Sequence, residues 1–134
     1  MQRKNKILFS VLIAIALITT IIPSNKILSK EIISTEFILG EEMGFDLTPG
    51  KLNFGQITQG NTASREITID NNFEEPIEVS IKSKREISKY IIVSENNFQL
   101  NSSESKNVTF TAYSEDITEF RKYKGEIIII SKKV

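Results

Sequence analysis

Along residues 45–82 the chain alternates apolar and polar positions in three short runs separated by turn-forming residues. Leu52 and Phe54, then Ile67 and Ile69, then Ile77, Val79 and Ile81 each share one face of an extended strand. Lys51 and Asn53, then Glu66, Thr68 and Asp70, then Glu78, Ser80 and Lys82 share the opposite face. A period of two marks antiparallel strands that bury one face and wet the other. Residues 45–48 and 51–57 read as one edge strand interrupted at Pro49-Gly50, because proline is confined to edges and bulges. Further strands follow at 65–71, 77–82, 90–94, 98–100, 107–113 and 124–131. Polar turns separate them, and Asp116-x-x-Glu119 is spaced to cap a single helical turn. Short strands at this density predict an all-β chain, an immunoglobulin-like antiparallel β-sandwich of about seven to eight strands.

The first 29 residues have a different character. Arg3, Lys4 and Lys6 precede an uncharged run from Ile7 to Ile22, which Pro23 ends. A basic start followed by an apolar segment predicts a hydrophobic helix that acts as a secretory signal. The run is a little short of the ~20 residues of a comfortable membrane span, and no clear small-residue cleavage site follows it. Residues 1–29 are therefore read as a signal peptide or an uncleaved signal anchor. In either case the preceding positive charge keeps the N-terminus inside and places the body outside the cytoplasm. Residues 30–44, without a clear period and with Gly40, Glu41, Glu42 and Gly44, read as a linker. Residues 45–134 then form the sandwich domain.

Composition narrows the function. The chain has 17 basic and 17 acidic residues, no Cys and no His. Four of the basic residues, Arg3, Lys4, Lys6 and Lys26, lie in the acid-free first 29, so the body is mildly acidic. That balance lacks the basic footprint of a nucleic-acid binder. Without Cys there is no disulfide framework, thiol chemistry or Cys-based zinc site. Without His the commonest general base and transition-metal ligand are missing. The expectation is a protein that is not an enzyme and uses no cofactor.

Leu52-x-Phe54-Gly55-x-Ile57-x-x-Gly60, an alternating strand ending at Asn71, and Pro76-Ile77-x-Val79 together resemble a recurrent pattern. Phe98-x-Leu100, Val108-x-Phe110 and Tyr123-x-Gly125-x-Ile127-x-Ile129 continue it in the same order. The pattern resembles that of the MSP/ASH superfamily and related archaeal and bacterial surface immunoglobulin-like domains, over residues 46–131. The resemblance implies a module that binds proteins, spaces other domains or assembles surface structures. Such modules usually occur repeated or in large proteins, whereas here one stands alone.

Candidate sites are few. The acidic pairs Glu41-Glu42, Glu74-Glu75 and Glu115-Asp116 lack calcium-loop spacing and read as solvated charge. Lys82, Lys84, Arg85 and Lys89 form a basic cluster, interrupted by Glu86, that reads as a solvated loop before it reads as a patch for an anionic polymer. Asn101-Ser-Ser103 and Asn107-Val-Thr109 are glycosylation sequons, with Asn101 in a turn and Asn107 on an outward position. In the last strand Ile127 and Ile129 face the core. Ile128 and Ile130 then face the other way, either under a covering loop or linker or as an apolar interaction strip. Lys132 and Lys133 follow as gatekeepers against aggregation. The expected function is an exported, membrane-anchored interaction or structural module at the cell surface, with a protein partner or self-association. The alternative is a subunit of a surface filament or envelope layer assembling through edge strands.

Overall fold

A computed structural model describes residues 26–44 and 50–134. The hydrophobic helix expected over the first residues, and the expected strand segment 45–48, lie outside the described residues. The described chain is all-β, with eight strands: β1 Ile27–Leu39, β2 Leu52–Ile57, β3 Thr62–Asp70, β4 Ile77–Lys84, β5 Ile91–Val93, β6 Phe98–Leu100, β7 Ser105–Tyr113 and β8 Lys122–Lys133. One sheet has the order β2-β1-β8-β4-β6 and the other β3-β7-β5. The two sheets enclose a core of Phe37, Leu39, Phe54, Ile57, Ile77, Val79, Leu100, Val108, Phe110 and Ile127. The alternating runs supply most of this core, but Asn53, expected on the wet face of the first run, is buried. Ile77, Val79 and Ile81 are buried while Glu78 and Lys82 are exposed, and Ile69 is buried between exposed Thr68 and Asp70.

The linker expected over residues 30–44 is instead mostly strand. Residues 30–39 belong to β1, which pairs antiparallel with β8 along nearly its whole length. It also carries Phe37 and Leu39 into the core. Two features hide its period. A register shift between Ile27 and Ser29 inserts Leu28 as an extra residue, so the alternation changes face there. Ile27, Ile32 and Ile38 are exposed on the outer side, so both faces read as apolar.

The expected purely antiparallel sheet has one exception, since β1 and β2 pair in parallel. Residues 40–51 join them, and a connection of about a dozen residues is what a parallel return requires. The pairing is bulged: Glu36 faces Asn53 and Ile38 faces Gln56, leaving Phe54 and Gly55 opposite Phe37. Gly55 has φ of 75°, a left-handed conformation that glycine adopts without steric cost. The bulge lets Leu52, Phe54 and Ile57 all reach the core although their spacing is not a strict two. Arg65, on the inward side of β3, donates from Nε to the Asn53 carbonyl at 3.1 Å beside it.

Side chains close the ends. Asn71 is buried, and its Nδ2 donates to the carbonyls of Glu75 (2.9 Å), Leu100 (3.1 Å) and Asn101 (2.9 Å). It thereby fastens the loop before β4 to the β6–β7 turn. The Asn96 side-chain amide donates to the Ile81 carbonyl and accepts from the Ile81 N–H, both at 2.7 Å. It extends the β4–β6 ladder by one side-chain pair. The expected helical turn at Asp116–Glu119 does not form. Ile117 is drawn into the core, and burying it fixes the segment as an irregular loop.

Candidate interaction surface on the five-stranded sheet

The outer face of the larger sheet can be read row by row from its register. Across β4, β8 and β1 the rows are Glu78–Lys132–Ile27, Ser80–Ile130–Lys30, Lys82–Ile128–Ile32 and Lys84–Glu126–Ser34. Beyond β4, Lys124 faces Glu36 and Lys122 faces Ile38. Ile130, Ile128 and Ile32 adjoin in the middle rows, bordered by Lys132, Lys30 and Lys82 and by Ser80, Glu126 and Ser34. Six lysines (Lys30, Lys82, Lys84, Lys122, Lys124, Lys132) stand against three glutamates (Glu36, Glu78, Glu126). Two of those glutamates are already engaged: Arg85 reaches Glu126 at 3.3 Å and Lys122 reaches Glu36 at 3.5 Å. The face is thus cationic on a body that is mildly acidic.

Ile128 and Ile130 lie on this face, away from the core. They differ in cover: Ile128 is only 3% exposed and Ile130 is half-buried. Ile128 lies between Lys82 on one side and Ile32 on the other. Lysine stems cover apolar neighbours while their ammonium groups stay in water. Ile32 itself is 56% exposed. An apolar centre with a charged rim is the anatomy of a protein–protein contact. Ile128, Ile130 and Lys132 stand out in the sequence of the last strand, whereas Ile32, Lys30 and Lys124 carry no local signal that places them on this face. Of the basic cluster, the fold places Lys82 and Lys84 on the face, while Arg85 caps the one-turn 3₁₀ segment Glu86–Lys89 and Lys89 ends it.

The other sheet presents a different exterior. Ser64, Glu66, Thr68 and Asp70 of β3 lie opposite Thr111, Thr109, Asn107 and Ser105 of β7. Both sequon asparagines are exposed. Asn107 is held on this face, with Oδ1 accepting from Thr68 at 2.9 Å and Nδ2 donating to Glu66 at 3.0 Å. Asn101 lies in the β6–β7 turn, where its backbone N–H donates to Glu104 at 2.7 Å. Its side-chain amide points to no described partner.

One end of the sandwich gathers aromatic and charged groups. Phe37 and Tyr123 stack with centroids 5.0 Å apart, and Tyr90 meets both edge-on. The Tyr123 hydroxyl donates to the Glu119 carbonyl at 2.9 Å, and burial pushes its pKa up. Arg121 lies 4.0 Å over the Tyr123 ring and pairs with both Glu86 and Glu119. The Arg121 hydrogen bond holds the Glu86 carboxyl below its ordinary range. A shallow cavity of about 180 Å³ lies beside these groups, but its one cation is already paired. Among the described residues no three acidic side chains cluster as for a metal ion. No described helix is long and apolar enough to cross a membrane. Comparison with family models, with curated proteins and with solved structures gave no significant match.

Proposed function

We propose that this protein is an exported, non-catalytic immunoglobulin-like module, carried to or held at the membrane by its N-terminal segment. It works by presenting the outer face of the five-stranded sheet to a protein partner. The observation that carries this reading is the isoleucine patch with lysines around it, with Ile32 open to water on its β1 side. Exposed apolar patches rimmed by polar groups mark interaction sites. The immunoglobulin-like part of the reading is supported by the two-sheet arrangement and by the Tyr123–Glu119 bond. A tyrosine at the start of a late strand that bonds the backbone just upstream is a recurrent corner of that fold. A reporter fused after Val134 tests export: extracytoplasmic activity is expected, and cytoplasmic activity contradicts the reading.

The second reading, a subunit of a surface filament or envelope layer, is favoured by the first half of β1. Among the described residues, β2 covers only residues 35–39 of that strand. Among the described residues, 27–34 keep one unpaired edge, the template on which another strand adds.

A further inference from the structure

We infer that the isoleucine and lysine face of the five-stranded sheet binds a second copy of this chain through that copy's 115–120 loop, so that copies join head to tail. The inference rests on the reading of the face as an interaction surface and names its partner. The loop joins β7 to β8 and is held rigid at several points. The Ser114 hydroxyl bonds the carbonyls of Thr58 at 2.8 Å and Asn61 at 3.0 Å. Ile117 is buried in the core. Tyr123 fixes the Glu119 carbonyl, and Arg121 fixes the Glu119 carboxylate at 2.9 Å. On this fixed frame Phe120 is left 58% exposed, with exposed Glu115 and Asp116 close by in the chain.

The loop is therefore a preorganised frame that carries an exposed Phe120, and the acids Glu115 and Asp116 earlier in the same loop make no ion pair among the described residues. The sheet face offers the complement, exposed Ile32 beside half-buried Ile130 with Lys30, Lys82 and Lys132 around them. Apolar meets apolar and negative meets positive, and a rigid knob loses little freedom on docking. One molecule cannot satisfy both halves itself. Phe120 lies before β8, and within β8 six residues, about 20 Å at ~3.3 Å per residue, separate Lys122 from Ile128. Two different patches on one chain make a heterologous contact, which propagates as an open chain unless the rotation closes a ring.

The test is sedimentation velocity of the full chain in a neutral detergent. Wild type, Phe120→Ser, Ile32→Lys and an equimolar mixture of the two variants are compared, with melting curves for each. Wild type should grow beyond a dimer with concentration and shrink as salt rises, as screening of the charges requires. Each variant alone should be monomeric with an unchanged melting temperature. Their mixture should stop at a dimer, since it retains one intact knob and one intact face per pair. If a variant misfolds, the double variant Glu115→Lys/Asp116→Lys supplies the knob-deficient partner, and Lys82→Glu/Lys124→Glu the face-deficient one. A monomeric wild type, association that survives in either variant, or a mixture that stays monomeric or grows past a dimer overturns the inference. A monomeric wild type with an extracytoplasmic reporter would overturn it while leaving the module reading in place.

Discussion

Gly125 shows what a single residue does in this fold. A Cβ built there would lie 2.2 Å from Cγ2 of Ile87 and 2.5 Å from the Lys84 carbonyl oxygen. The glycine in the Gly-x-Ile-x-Ile phrase thus lets the Glu86–Lys89 turn press onto β8, with Ile87 fully buried over it. Gly125→Ala should cost ~1–3 kcal/mol by overpacking, read as a lowered urea midpoint. An unchanged midpoint would contradict the close approach. At the same turn, Glu86 is held ionised by Arg121 and its pKa lies below the ordinary 4.5. A carboxyl depressed in the folded state adds stability above its unfolded pKa and loses it as pH falls through the folded one. Melting temperature should therefore drop below about pH 4.5, and Glu86→Gln should flatten that part of the profile. The group is exposed, so the change should be small; a Glu86→Gln profile with the wild-type slope would contradict the pairing.

At the scale of elements, legibility tracked how regular each strand is. Ile77, Val79 and Ile81 declared β4 because nothing interrupts their period. β1 was hidden because Leu28 is an extra residue and because Ile27, Ile32 and Ile38 put apolar side chains on the solvent side. The parallel β1–β2 pairing was hidden for a related reason, since strand direction leaves no local trace when the connection is long. β1 lies between β2 and β8 and brings Phe37 against Tyr123. A fragment of residues 26–134 should accordingly show a cooperative β-type melt, whereas residues 45–134 should not, having lost Phe37, Leu39 and the partner of β8. Equal stability of the two fragments would show that β1 adds nothing to the fold.

At the scale of the whole molecule, the charge pattern has meaning only after folding. Lys82 and Lys84 are neighbours in sequence, but Lys30 and Lys124 join them from strands about 50 residues before and 40 after. The sheet order β1-β8-β4 brings all of them to one face, so no local charge run could reveal it. The isoleucine strip was legible in part, because Ile128 and Ile130 break the alternation in β8. Its partner across the strands, Ile32, was not, because β1 itself was unread. Lysine labelling resolved by peptide mass spectrometry, on the full chain from dilute to concentrated solution, tests the central claim that this face is the docking surface. Lys30, Lys82, Lys84 and Lys124 should lose reactivity together as concentration rises, while Lys51 keeps its own. Reactivity on the face that stays constant, or falls equally at Lys51, would contradict it.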